Sequence, residues 1–502
     1  MVDYEGQIRI TFYMRGEVWM AGFLRRNVAK SKNANSHLLT SLLDVSPKTV
    51  APLDPGFVPA VLANRSYRAV VEKAGATVKV AIAIEREDGH ICRGDIDVLA
   101  PGSTHDADTL RFVERHVKFL LWSRGGWKIY FSGPEPIGRC LKKAYAEQGE
   151  RGPDVEIMQR AYDKTFAFEN VNAGAMPAEN EVALAIGGHL DGCRIGFDLG
   201  ASDYKVAAVI DGKPVYCDEF PWNPRDQPDP QYHIDHIRSG LKKAAQHLPR
   251  VQAVGGSSAG VLVNNKLMVA SLFRGVAKDK FEAQVKPMFL NMEKEWGVPF
   301  TVINDGEVTA LAGAISLGTK GMLGVAMGSS EAAGYLDRRG KFRGWLDELA
   351  FAPVDFNPAA AKDEWSGDAG GGASYFSQQA VNRLIPAAGL SYPKEMDLPE
   401  RLKEVQTLAE RGDGQARRIF ETIGVYLGYT IPYYAEYYDF SHLLILGRVI
   451  SGASGDIILA KARAILKKEF PELTRTVGVH VPDEKSRRVG QAVAAASLPE
   501  LN

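Results

Sequence analysis

The sequence predicts a mixed α/β protein of more than one domain. Three observations carry this expectation. At 502 residues the chain exceeds what one hydrophobic core organises, so two or three domains are expected. Residues 195–217 read as an apolar strand, a turn of small residues, a second apolar strand, an Asp-Gly turn and a third strand. Short apolar runs also alternate with stretches of helical spacing on both sides of that hairpin.

Composition narrows the function classes. Apolar residues make up 45% and charged residues 24%, which is ordinary for a globular protein. A formal net charge of −1 gives no reason to expect nucleic acid or an anionic membrane as partner. Cys92, Cys140, Cys193 and Cys217 are scattered, with no CxxC pair. That spacing argues against a disulfide framework and against a thiolate zinc site. No basic-then-apolar leader and no apolar run of membrane length is read in the sequence. A reduced, cytoplasmic setting is the expectation.

Taken in order, residues 7–13 and 18–23 read as two strands turning near Glu17, and the polar stretch 30–35 as a loop. Residues 77–84 form a strand, 85–90 a charged turn and 91–98 a second strand. Within 108–122, Leu110, Val113, Val117, Leu120 and Leu121 recur at helical spacing, and Gly125-Gly126 ends that helix. A strand over 127–131 and a helix over 134–147 follow. Residues 170–192 are rich in small and turn residues and mark a boundary. Residues 1–190 are therefore expected to be an α/β domain, of no assigned role. It carries no helix-turn-helix pattern.

Beyond the hairpin, 232–248 reads as a helix and 251–254 as a strand leading into Gly255-Gly256-Ser257-Ser258-Ala259-Gly260. Residues 281–296 read as a helix, 300–303 as a strand and 306–317 as an Ala-rich helix.

Two places invite chemistry. Gly200, Ala201 and Ser202 are small enough to let a phosphate approach backbone N–H groups, and Asp198 stands at the strand end, where a carboxylate holds Mg²⁺ directly or through water. An ordinary hairpin with a surface Asp is the plain alternative. Asn304-Asp305 ends a strand and opens a helix, a good place for a general base. N-capping is the commoner use of such residues.

These segments resemble, in order and spacing, the sugar kinase/Hsp70/actin superfamily, and within it the ROK family of bacterial sugar kinases and sugar-responsive repressors. The resemblance covers roughly residues 190–498. Asp198, Gly200 and Ser202 match the first phosphate motif, Asp-x-Gly-x-Thr/Ser. Asn304-Asp305 and the helix after it are similar to the family's Asn-Asp-Ala-x-Ala-Ala-Leu-Gly. Residues 324–344 look like the second phosphate motif, with Gly328 and Ser329 at its turn. Glu348 matches the Glu of Gly-Glu-Leu-Gly-His, and Gly447 follows the strand of the adenosine motif. Tyr429, Tyr433, Tyr434, Tyr437 and Tyr438, in the helix preceding that strand, read as core and interface rather than a ligand cage.

The resemblance implies a two-lobed ribonuclease-H-like (actin-like ATPase) kinase core, preceded by the extra α/β domain. The lobes would span 191–315 and 316–502, with the cleft between them. Residues 77–147 are compatible with a further, remote copy of the same unit. The implied activity is ATP-dependent phosphorylation of a sugar hydroxyl. Asp305 would be the base, Asp198 would position Mg²⁺, and Asn304, Glu348, Ser258 and Gly260 would hold the sugar. Gly200, Ser202, Gly328, Ser329 and Gly447 would shape the ATP site. A small-molecule sugar is the expected partner, with neither nucleic acid nor membrane, and a homodimer is left open.

The sequence departs from the family in four places. The second turn reads Gly328-Ser329-Ser330-Glu331-Ala332-Ala333-Gly334 instead of a glycine run, which narrows the phosphate approach and adds the Glu331 charge nearby unless that side chain points out of the turn. Phe351 stands where the family has a His that binds sugar and zinc. No cysteine follows Cys217, so the family's structural zinc is expected to be absent, with a Gly-rich loop over 363–375 in its place. The adenosine motif keeps one glycine, followed by Arg448. These departures support an alternative: a catalytically impaired sugar- or nucleotide-binding protein on the same fold.

Overall fold

The computed structural model describes residues 41–184, 186–201, 203–364, 366–481 and 484–501, with only the backbone for 484–489. The strands expected at 7–13 and 18–23, the loop over 30–35 and Ser202 lie outside the described residues.

The first described region carries α1 (Ala60–Val71), β1 (Thr77–Glu85), β2 (Ile91–Leu99), α2 (Asp106–Arg124), β3 (Lys128–Ser132), α3 (Glu135–Ala144), α4 (Gly152–Tyr162) and β4 (Ala167–Asn170). Its sheet runs β2-β1-β3-β4. β1 is antiparallel to both β2 and β3, while β4 is parallel to β3. β2 and β3 therefore run the same way on either side of β1, and α2 is a crossover straddling that strand. A ribonuclease-H-like unit needs its fourth strand parallel to the first, so this region is not a copy of that unit. Element order alone does not fix pairing direction, which is why the expectation failed.

Helix α2 is buried almost all round from Thr109 to Arg124, because it lies between its own sheet and the C-terminal half of the chain. One continuous core joins Leu43, Val80 and Trp122 to Tyr433, Ile445 and Phe470. A helix apolar on one stripe would bury one face; Phe112, Phe119 and Trp122 widen the stripe of α2 and let it serve two neighbours.

The next lobe carries β5 (Cys193–Leu199), β6 (Asp203–Ile210), β7 (Lys213–Pro221), α5 (Pro230–Ala245), β8 (Ala253–Ser258), β9 (Val261–Val263), β10 (Lys266–Val269), α6 (Lys278–Lys280), α7 (Met288–Trp296), β11 (Phe300–Asn304) and α8 (Asp305–Leu317). Three antiparallel strands and two parallel ones give the order β11-β8-β5-β6-β7. Asp211 and Gly212, at φ +47° and +74°, make the tight β6–β7 turn. The helix expected over 281–296 is interrupted. A π-helical stretch, Phe281–Val285, precedes α7, and Pro287, which has no N–H to continue the ladder, separates them.

The last lobe carries β12 (Met322–Met327), β13 (Glu331–Leu336), α9 (Gln378–Leu384), α10 (Leu398–Glu410), α11 (Gly414–Tyr434), β14 (His442–Leu446), α12 (Ala453–Glu469), β15 (Gly478–His480) and α13 (Glu484–Ala496). Its sheet, β13-β12-β14-β15, repeats the first lobe's plan with the third hairpin strand reduced to a bridge between Leu336 and Phe342. Tyr429, Tyr433, Tyr434 and Tyr438 are core residues. α13 then returns to the first lobe's sheet. A Cβ at Gly196 would collide with the carbonyl of Ala492, and one at Gly255 with that of Ala495, so only glycine admits the helix there. No described helix is long and apolar enough to cross a membrane.

Candidate functional site

Three parallel strands bring the first group of residues together. β5, β8 and β11 end in register, with Leu199 beside Ser258 and Ser258 beside Asn304. Ligands of open α/β sheets bind beyond such carboxyl ends. Asp198 is buried there and accepts a 2.7 Å hydrogen bond from the Ser257 hydroxyl. The Lys205 ammonium stands 4.0 Å from its other oxygen and 2.9 Å from Asp203. Burial raises the Asp198 pKa, and Lys205 opposes the shift.

Asn304 is the N-cap of α8. Its Oδ1 accepts from the Gly306 N–H at 2.7 Å, and its Nδ2 donates to the Gly260 carbonyl at 2.9 Å. One N–H and one lone pair of the amide are left without a partner among the described residues. Gly260 holds φ +113° against Val269 and Ala270 and so has to be glycine. Ser258 is fully buried, and its hydroxyl donates at 3.4 Å to the Ala259 carbonyl.

Asp305 opens α8. Its pKa is pushed up to about 6, by burial first and by the Asp198 charge second. Glu348 is pushed up to about 8 by burial, then by Asp305 and Asp347. Glu331, buried beneath it, also rises to about 8 and accepts a 3.0 Å bond from the Tyr434 hydroxyl. Glu331 thus points into the core rather than at the turn, and at neutral pH it is largely protonated. Of the two orientations the sequence leaves open for Glu331, the structure has the one that points away from the turn. Glu307 and Asp347, which sequence reasoning missed, join the same group at about 8 and about 7.

The described residues before 190 brace this cluster. The backbone N–H groups of Leu346, Asp347 and Glu348 donate to the carbonyls of Arg124, Ser123 and Trp122. These are terminal carbonyls of α2, which a helix end leaves unpaired. Trp122 lies against Phe351 with ring centroids 4.4 Å apart. Arg86 donates to the carbonyls of Arg343 and Gly344 and pairs with Glu181. The loop at 363–375 is held too: Asp368 meets Lys118 at 2.8 Å, Arg151 at 2.5 Å and Arg115 at 3.5 Å. No short-range pattern announces any of these contacts, since the Arg86–Glu181 partners are 95 residues apart and the others more than two hundred.

Two turns face each other across the lobes. In the first, the Gly200 N–H donates to the Asp203 carbonyl, and the Trp222 indole donates to Gly200. In the second, the Gly328 N–H donates to Ser330, and Arg225 of the first lobe donates to the Ser329 hydroxyl at 3.2 Å. Gly447, at φ +108°, lies so close to Met327 that a side chain would strike its backbone. Arg448 stands 3.8 Å from Asp203. The site residues therefore form two groups. Asp198, Ser258, Gly260, Asn304, Asp305 and Glu348 gather around the carboxyls. Gly200, Gly328, Ser329 and Gly447 gather around the facing turns, with Asp198 between the groups.

No family model matches the chain, and no curated protein matches it. Solved structures do. The ROK family glucokinase of Streptomyces griseus, solved with glucose and AMPPNP, superposes with a TM-score of 0.50 at 19% identity, over 61% of this chain and 99% of that one. The ROK hexokinase of Thermus thermophilus gives 0.47 at 17% identity, over 60% and 97%. A ROK family transcriptional regulator, a homologue of the E. coli MLC protein, gives 0.48 at 18% identity, over 61% and 78%. The fold is that of the ROK sugar kinases, on the actin-like ATPase plan, with an additional region outside the shared part.

Proposed function

We propose that this protein transfers the γ-phosphoryl group of ATP to a sugar hydroxyl. One observation carries the reading: Asp305 opens α8 between Asp198 and Glu348, coupled electrostatically to both, with a pKa near 6. A carboxylate poised there takes the proton as the sugar oxygen attacks phosphorus and the bond to the ADP oxygen breaks. Asn304 and Glu348 orient the sugar. Glu348, protonated at neutral pH, donates to a hydroxyl rather than only accepting from one. Phe351 closes that pocket with an apolar face.

The Asp198 carboxylate suits Mg²⁺ held by one protein ligand and phosphate oxygens. One of its oxygens is engaged by Ser257, and the Lys205 ammonium stands 4.0 Å from the other. Bound Mg²⁺ supplies charge neutralisation on the polyphosphate. Gly200, Ser202, Gly328, Ser329 and Gly447 shape the ATP site. In this reading 191–315 and 316–502 are the lobes, the described part of the region before 190 braces the sugar side, and the protein works in the cytoplasm.

The test is a phosphotransfer screen of the purified protein over hexoses and amino sugars, with ATP and Mg²⁺ and Asp305→Asn as control. Sugar-dependent ADP release that the variant abolishes supports the reading. If ligands bind and nothing is transferred, the protein is instead a binder that has lost turnover.

A further inference from the structure

The second turn poses a problem for phosphate binding. Ser330, Glu331 and Ala332 stand where the resemblance puts a flexible glycine run; each keeps its backbone N–H, but the added side chains restrict the backbone conformations that would aim those groups at an anion. A donor from elsewhere would compensate.

Arg225 has the geometry for it. It lies in the loop between β7 and α5, and that loop touches both turns. Trp222 donates its indole N–H to the Gly200 carbonyl of the first turn at 2.8 Å. Three residues later, Arg225 reaches the Ser329 hydroxyl of the second turn at 3.2 Å. The loop is pinned from behind by His233, whose Nε2 lies 2.8 Å from the Pro224 carbonyl. The loop therefore touches both turns, and its guanidinium crosses from the first lobe to the second turn.

Its hydrogen bonding is incomplete. Arg225 Nε is excluded from solvent and has no partner among the described residues. No ion pair to Arg225 is found among them either, whereas its neighbour Arg274 pairs with Asp226 at 3.3 Å. A guanidinium offers five N–H donors in a rigid fork, and here one reaches a hydroxyl. Arg225 is half-buried, and a cation left there without a counter-charge gives up part of its hydration, so the site is complementary to an anion with several acceptor oxygens.

We propose that Arg225 is a phosphate-binding residue, reaching from the first lobe to the terminal phosphates of a nucleoside triphosphate held between the two turns. It supplements the backbone N–H groups of a turn that has lost the freedom of a glycine run. Lobe closure and phosphate binding are then linked, because the loop that carries Arg225 belongs to one lobe and Ser329 to the other. This inference rests on the kinase reading for the identity of the ligand but not for the binding of the anion.

Calorimetry with magnesium pyrophosphate and magnesium ATP tests it, on the parent protein, Arg225→Met, Arg225→Lys and Arg274→Met. Arg225→Met is expected to bind both probes about 10- to 100-fold more weakly, Arg225→Lys to fall in between, and Arg274→Met to match the parent. Sugar affinity is expected to be unchanged in all four. Should Arg225→Met fail to fold, Arg225→Lys carries the comparison, since it keeps the charge and loses the fork. Equal affinity in parent and both Arg225 variants overturns the proposal and leaves the kinase reading standing. No pyrophosphate or ATP binding by the parent also overturns it. Arg225-dependent pyrophosphate binding without phosphotransfer to any sugar upholds it and removes the kinase reading instead.

Discussion

The backbone N–H of Glu348 donates to the carbonyl oxygen of Trp122 at 3.0 Å. Glu348 belongs to the candidate sugar-binding segment, and Trp122 to the last turn of α2. With Asp347 on Ser123 and Leu346 on Arg124, the bond occupies three successive carbonyls of that helix end. The position of the Glu348 carboxyl therefore depends on a helix outside the two lobes.

The brace is open to mutation. Trp122→Ala would leave a cavity beside Phe351 at a cost of about 3–5 kcal/mol, so Trp122→Phe is the sharper variant. It keeps the helix and loosens the contact with Phe351. The KM for sugar is expected to rise several-fold, with the KM for ATP within about twofold. Steady-state kinetics decide it; unchanged constants for both substrates would leave the brace without a role in binding.

Asp305 should set the acid limb of the rate profile. A base has to be deprotonated, so kcat/KM is expected to rise with pH through a midpoint near 6, where its carboxyl is held by burial and by Asp198, and then level off. Asp305→Asn is expected to lower turnover by about 10²- to 10⁴-fold with sugar affinity nearly intact. Asp198→Asn removes a neighbouring negative charge and should move the midpoint of any residual activity lower. Loss of turnover by less than tenfold in Asp305→Asn would reassign the base.

What was legible in the sequence was local. The strand-turn-strand at 195–217 and the strand-to-helix corner at Asp305 are short-range patterns, and both stand as read. Glu331 shows where local reading stops. Its charge looked like an obstacle to phosphate. The structure turns it inward to Tyr434 and neutralises it, as strand parity permits for a residue opposite Met327. Trp122, Arg225 and Asp368 were invisible because their partners are remote in the chain and no spacing encodes them.

The buried carboxyls predict an unusual dependence of stability on pH. Glu307, Glu331 and Glu348 have folded pKa values near 8, and Asp347 near 7, against ordinary values near 4 when unfolded. The folded state therefore holds more protons, so stability falls as pH rises through this window. Urea unfolding at pH 5, 7 and 9 should give a declining series. Glu331→Gln should flatten it while keeping an oxygen for Tyr434. Glu331→Gly, by contrast, is expected to lower stability without tightening ATP. A series that rises to pH 9 would mean that these groups ionise freely.

The 363–375 loop supplies the last test. The ROK resemblance puts a zinc-bound loop here, but Phe351 replaces the histidine and no cysteine follows Cys217. The structure puts an ionic staple there instead, with Asp368 among Lys118, Arg115 and Arg151. These cations hold its pKa well below the ordinary range despite burial. The sign is opposite to that of the carboxyls above: this stabilisation is present above about pH 4 and is lost as the pH falls further. Asp368→Asn leaves three cations crowded around Glu114 and Asp154, and breaking such a buried set costs about 3–5 kcal/mol. Adding Arg115→Met removes the surplus cation while Glu114 keeps Arg151 and Asp154 keeps Lys118, and should restore part of the loss, so the two changes should be non-additive in a double-mutant cycle. Elemental analysis of the parent is expected to give no stoichiometric zinc. One zinc per chain, or an Asp368→Asn variant as stable as the parent, would show that something other than this staple holds the loop.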